Sequence, residues 1–284
     1  MSTDVEPPAS EAMRMFLRNR AAVVGAAVLA LVIITAVFGP LVQDADPFAM
    51  VGAPMSPPLS PDSVLGTDYM GRDVLTGLVY GGRATLIVGT TAALLSVFIG
   101  VAVGALAGYF GGTIDEVLMR FTEFFQVLPA LLFAMVLVTL FSPSLSTVAF
   151  AIGMSTWTGT ARLARAEFLK LKQLDFVRAE HAMGAGHMRI IGKVILPNAL
   201  PPLVVSGTLA VGAAILFAAG LSFLGLADPN TMTWGLMIGS SRQYILSSWW
   251  SVTFPGIAIF VTVLCVTLVG DGLNDALNPK LRDR

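Results

Sequence analysis

Side chains able to do chemistry are few in this sequence, and most crowd into two short stretches. The segment AEHAMGAGHMRIIGKVILPN (179–198) holds both histidines, His181 and His187, together with Glu180, Arg189 and Lys193. Two imidazoles near a carboxylate could bind a metal or exchange protons, but a spacing of six residues does not put them on one helical face. They are expected to be solvated loop histidines, with no metal bound. The second stretch, LGTDYMGRDVL (65–75), gathers Asp68, Arg72 and Asp73. Asp68 and Arg72 are four residues apart and would pair across one turn if this part is helical. An exposed pair contributes little stability, so its value would lie in bracing an external loop or in gating.

Other chemistries are excluded by what is missing. No G-x-x-x-x-G-K-[ST] occurs, and the only Gly-Lys pair, Gly192-Lys193, is followed by Val. The chain therefore has no P-loop with which to hold ATP and its Mg. H-E-x-x-H and C-x-x-C are absent too, and Cys265 is the sole cysteine, so neither a disulfide nor a thiolate cluster can form within the chain. No cofactor is expected on it. The net charge of -1 excludes a strongly basic nucleic-acid binder.

The elements that must position these residues follow from composition. The 284 residues are 55% hydrophobic and only 12% charged, with a mean hydropathy of +0.79, which points to lipid rather than water as the main solvent. A hydrocarbon core about 30 Å thick takes about 20 apolar residues per helix. Six spans are predicted, at 21–42, 84–108, 124–141, 143–161, 199–224 and 252–270, which makes the chain an all-α polytopic membrane protein. The fourth, PSLSTVAFAIGMSTWTGTA, is rich in Ser and Thr and is the most polar; its hydroxyls can bond back to the helix's own carbonyls. The first follows Arg14, Arg18 and Arg20 and is too long for a signal-peptide core, so an uncleaved anchor is expected.

With the N-terminus inside, 14 of the 17 Lys and Arg residues fall on the cytoplasmic side; only Arg72, Arg83 and Arg242 fall outside. The positive-inside rule thus predicts both termini in the cytoplasm. The resulting organisation is a cytoplasmic tail (1–20), a first span (21–43), an external segment (44–83), a five-helix core (84–273) with a cytoplasmic loop at 164–198, and a C-terminal tail (274–284). The six span cores hold no Asp, Glu, Lys, Arg or His. A secondary carrier normally keeps such groups for proton or ion handling, and a membrane-embedded enzyme would need paired carboxylates or a Ser-His arrangement at depth. If the chain transports, its energy comes from another subunit.

Two packing features stand out. Ser96, Gly100, Gly104 and Gly108 recur every four residues and form one slightly drifting stripe on which a neighbouring helix can approach closely. In the cytoplasmic loop, Ala179, Ala182 and Ala185 recur every three residues and give a short helix a smooth side. Gly184 and Gly186 favour a turn, and Pro197 can start the next helix. A smooth helix projecting below a bundle suits insertion into a groove on another protein.

This loop resembles the EAA signature of ABC-importer permeases, in which a Gly lies between a small-residue helix and an I-x-L-P ending; here Gly184 is followed by Val194, Leu196 and Pro197. The signature's opening Glu-Ala-Ala is Arg178, Ala179 and Glu180 here, with Glu180 the departure. LGTDYMGRDVL with YGGRATLIVG, Trp157 to Arg162, SFLGLADPNTMTWG and GDGLNDALNPKLR are similar to the C-type permease of dipeptide, oligopeptide and nickel importers, over nearly the whole chain after the N-terminal tail. Ala227 and Asn230 replace the more usual Gly and Pro.

The resemblance implies a type I, MetI-like fold in the bacterial inner membrane. It also implies partners: a second homologous permease, two ABC ATPases or a fused pair carrying ATP and Mg, and an external solute-binding protein. Arg178, Ala179, Glu180, Ala182, Gly184, Ala185 and Pro197 would belong to the ATPase-coupling loop. Peptide import is the function implied, and nickel or another small solute the alternative.

Overall fold

The computed structural model describes residues 8–61, 63–226 and 228–277, so Ala227 and the basic residues Lys280, Arg282 and Arg284 lie outside the described residues. Ten helices are described: α1 (Pro8–Arg18), α2 (Arg20–Val42), α3 (Val74–Phe110), α4 (Gly112–Val127), α5 (Ala130–Phe141), α6 (Leu145–Lys172), α7 (Asp175–Ala182), α8 (His187–Phe223), α9 (Trp234–Ser241) and α10 (Trp250–Leu277). Extended backbone among the described residues is limited to three isolated bridges in the segment between α2 and α3.

Four helices, α2, α3, α8 and α10, are each long and apolar enough to cross a membrane. The predicted third span is not one straight helix: α4 and α5 meet at 86°. Pro129 causes the break. A residue before proline is pushed out of the α region, and Leu128 is extended at φ -69°, ψ 129°.

The polar α6 matches the predicted fourth span in place but is much longer, and it owes its setting to α3. Gly153 sits against Leu95, Gly100 against Trp157 and Thr160, Gly104 against Ala161 and Ala164, and Gly108 against Arg165 and Phe168. Residue numbers rise together along both helices, so α6 runs parallel to α3 and at the same depth. Parallel neighbours need a return crossing between them, which is the role left to the bent α4–α5 pair. Ser155 and Thr156 donate to the carbonyls of Ala151 and Ile152, at 2.6 and 2.9 Å, which removes most of the cost of hydroxyls at this depth.

The helix that holds the predicted second span begins ten residues before it. Residues 74–83 are already helical because Asp73 caps the helix: its carboxylate accepts from the Thr76 N–H at 2.9 Å and the Ser63 hydroxyl at 2.5 Å. The segment between α2 and α3 thus ends at residue 73. It is built of turns, with Gly66 and Gly71 at φ +82° and +81°, and the Trp250 indole N–H pins it by donating to the Thr67 carbonyl at 2.9 Å. At the other face, α1 lies against α10, where Asn19 donates to Asp275 at 3.1 Å.

Candidate functional site

Beside the Phe110 end of α3 the chain makes a helical hairpin. α7 ends at Ala182, and Gly184 takes φ +81°. The Gly184 N–H donates to the His181 carbonyl and the Ala185 N–H to the Glu180 carbonyl, both at 3.0 Å. This is the Schellman arrangement, in which a left-handed residue lets two successive amides satisfy the last carbonyls of a helix. A Cβ on Gly184 would meet nothing within 4 Å, so its backbone angle, and not lack of room, calls for glycine in this chain.

The hairpin's two faces differ. Val177 and Ile190 are fully buried and join a cluster with Tyr109, Phe168 and Ile195. Arg178, Ala179, Ala182 and Gly184 are exposed, and Ala185 is half-buried. Met183 and Met188 are 74% and 78% exposed, giving the tip an unpartnered apolar surface. Arg178 pairs with Asp175 at 3.7 Å, and Glu180 reaches across the bend to Arg189 at 3.9 Å. Glu180 thus ties the two limbs of the hairpin together.

Pro197 stands in the first turn of the α-helical stretch Leu196–Phe223, as expected, but the helix as a whole starts earlier. α8 begins at His187 and runs through a wide π-helical stretch, Ile190–Ile195, into its long apolar part. Proline has no N–H and its ring crowds the carbonyl four residues back; a π turn, which bonds i to i-5, relieves that conflict without ending the helix. The Leu196 N–H accordingly donates to the Ile191 carbonyl, and the Asn198 amide covers the Val194 carbonyl at 2.7 Å.

His181 and His187 are both exposed, as expected of solvated histidines, but they are not isolated. The turn at Gly184 brings them face to edge, with ring centroids 5.9 Å apart, and both reach the Tyr109 hydroxyl: His187 Nδ1 at 2.8 Å and His181 Nε2 at 3.2 Å. Spacing along one helix was the wrong test, because the two rings sit on separate helices. No group of three or more His, Cys, Asp or Glu is placed to hold a metal among the described residues. Nearby, Arg165 of α6 grips Asp115 of α4 with two parallel bonds of 2.5 and 2.6 Å. The guanidinium holds the Asp115 carboxyl below the usual carboxylate range. Nothing in the sequence pointed to this pair, whose members are 50 residues apart.

At the opposite end of α3 from the hairpin, Asp68, Arg72 and Asp73 line a cavity of about 200 Å³ with Phe48, Ser240 and Ser241. The predicted Asp68–Arg72 ion pair is absent, because this stretch is a turn. Asp68 Oδ1 accepts instead from the backbone N–H groups of Met70 and Arg72, at 2.8 and 2.9 Å. Arg72 lies over the Phe48 ring at 5.0 Å, with its Nε buried and without a hydrogen-bond partner.

The Gly100–Gly104–Gly108 stripe is an internal contact. Added Cβ atoms would stand 2.6 Å from Thr160 Cβ at Gly100 and 2.7 Å from the Arg165 carbonyl oxygen at Gly108, and would strike the Ala161 carbonyl oxygen at Gly104.

Residues 100–283 match the family described as binding-protein-dependent transport system inner membrane component. Residues 8–61 match the N-terminal TM domain of oligopeptide transport permease C. The chain is 39% identical over 274 residues to the dipeptide transport system permease protein DppC of Bacillus subtilis, covering 96% of this chain and 86% of that protein. It is 36% identical over 283 residues to the di/tripeptide transport system permease protein DppC of Pseudomonas aeruginosa, covering 97% and 93%. Among solved structures, an inward-facing MetNI methionine ABC transporter aligns with a TM-score of 0.59 at 21% identity, over 71% of this chain and 96% of that one. That likeness concerns the fold.

Proposed function

The chain belongs to the family of binding-protein-dependent transport system inner membrane components, and from this premise we propose that it is the permease subunit through which an ATP-driven importer takes up di- and oligopeptides. The observation that carries the substrate is identity of 36–39% across 96–97% of the chain to relatives named as di/tripeptide, dipeptide or oligopeptide permeases. In this reading the chain sits in the bacterial inner membrane with both termini in the cytoplasm. Its partners are a second homologous permease, an external solute-binding protein, and two ATPases or a fused pair. ATP and Mg stay on the ATPases.

The hairpin is where the ATPases act. Ala179 and Ala182 let a groove approach the α7 backbone closely, while Met183 and Met188 supply apolar surface that adapts to it. ATP shifts the permease toward one state only if the groove's contacts differ between states. Displacement of α7 then reaches the bundle through the buried side of the hairpin, and the tight α3–α6 pair moves as one rigid body. At the outer face, Asp68, Arg72 and Asp73 hold the segment that closes over the pathway.

The test is uptake into proteoliposomes holding this chain with its partner permease, ATPases and binding protein, comparing labelled dipeptides, longer peptides and nickel. Peptide uptake that stops without ATP supports the proposal. Nickel uptake without peptide uptake would keep the machine and overturn the substrate.

A further inference from the structure

The Tyr109 hydroxyl is the place where three segments meet. Tyr109 is the penultimate residue of α3 and only 3% exposed. Its oxygen contacts His181, on the limb of the hairpin before the Gly184 turn, and His187, on the limb after it. The Tyr109 ring is near-parallel to His181 (13°, centroids 6.2 Å) and edge-on to His187 (72°, 5.6 Å). The Lys172 ammonium, from the end of α6, lies over the tyrosine ring at 5.7 Å. Among the described residues, these two bonds are the only side-chain hydrogen bonds joining residues 175–189 to the long helices.

A phenol has one proton and two lone pairs, so it can donate to one imidazole nitrogen while accepting an N–H from the other. The two histidines must then hold complementary tautomers, and both limbs are fixed to one atom on α3. Apart from the chain itself, which carries the second limb on into the rest of α8, the remaining attachment is apolar, through Val177 and Ile190. Apolar contact is non-directional and resists separation better than sliding or tilting, whereas a hydrogen bond weakens steeply with misalignment.

We infer that Tyr109 is a positioning residue that locks both limbs of the hairpin to α3, so that a push on α7 displaces α3 instead of tilting the hairpin on its apolar base. This rests on the proposed coupling to ATPases. Glu180 and Arg189 pair with one another across the bend and stiffen the hairpin itself, not its joint with the bundle.

The experiment is the ratio of ATP hydrolysed to labelled dipeptide imported by the complete reconstituted importer. Tyr109→Phe keeps the ring and removes the oxygen; the ratio should rise at least about fivefold, the effect of losing one ordinary hydrogen bond, because both bonds are lost, with the ATPases still co-purifying. His187→Asn, whose amide oxygen can stand near the Nδ1 position, should stay close to wild type, and His187→Ala, which leaves the bond to His181, should raise the ratio less than Tyr109→Phe. The double variant Tyr109→Phe/His187→Ala should be no worse than Tyr109→Phe, since the hydroxyl that His187 bonds is already gone. A wild-type ratio in Tyr109→Phe would overturn the inference, as would loss of the ATPases from that variant, which would make the hydroxyl a mere support for docking. Failure of the wild-type complex to import peptide would instead overturn the functional reading. Hydrogen exchange across residues 179–189 of the permease needs no transport: faster exchange in Tyr109→Phe supports the joint, and unchanged exchange refutes it.

Discussion

Arg165 and Asp115 close the α4–α6 contact with a bidentate ion pair, Nε to Oδ1 at 2.5 Å and Nη2 to Oδ2 at 2.6 Å. The pair joins the return helix to the helix packed along α3, next to the hairpin. The guanidinium is 35% and the carboxylate 17% exposed, so solvent screens part of the attraction.

Asp115→Asn should therefore lower stability by about 1–2 kcal/mol at neutral pH, measured as a fall in melting temperature of the detergent-purified complex. The Asp115 pKa is depressed in the folded state. Its stabilisation is thus full above about pH 4, the ordinary aspartate pKa, and is lost as pH falls through the lower folded value. The gap between wild type and variant should narrow only in that acidic range. A gap of constant size down to pH 3 would mean that the carboxylate charge is not its source.

Gly104→Val should destabilise the bundle by about 1–3 kcal/mol or more, because the added carbons meet the Ala161 carbonyl and the helices must part. Gly256→Ala is the control, since a Cβ there meets nothing within 4 Å. Thermal unfolding in detergent compares them, and equal melting temperatures would refute the close α3–α6 contact.

Two substitutions at Gly184 separate backbone strain from obstruction. Gly184→Ala should cost about 1 kcal/mol through its left-handed φ and leave uptake largely intact. Gly184→Trp carries the same strain and adds a bulky ring at the exposed turn; it should insert normally in the membrane yet lose ATP-driven uptake. Normal uptake by the Trp variant would remove the hairpin tip from the ATPase groove.

At the outer face, Asp73→Ala should free the start of α3, with a loss of about 1–2 kcal/mol typical of an N-cap, and should speed proteolysis within residues 44–73. Asp73→Asn, which can still cap, should behave close to wild type. Equal proteolysis of all three would show that the Ser63 and Thr76 bonds do not hold the segment.

Legibility differed from element to element. The spans at 21–42, 199–224 and 252–270 correspond to α2, the apolar part of α8, and α10, because an uninterrupted apolar run can only be accommodated in lipid or a core. Gly184 was visible as a turn because glycine alone takes that φ without strain. Pro197 was legible as a first-turn proline; the continuity of its helix with the π turn before it was not, since that depends on how the backbone satisfies the carbonyls a missing N–H leaves open. The Pro129 break was also within reach of the sequence, as the rule for residues before proline applies to Leu128. The Tyr109 joint was not, because its partners lie 72 and 78 residues away.

The sequence by itself determined the solvent, the helical class, the turn at Gly184 and the absence of a P-loop motif, because these depend on local composition and on single-residue backbone preferences. Tertiary structure alone decided that polar α6 sits beside α3, that α3 starts at a cap shared with Ser63, and that two histidines meet one tyrosine. Each of these depends on which surfaces are complementary across a distance in the chain, and a glycine stripe or an imidazole carries no record of its partner until the helices have packed.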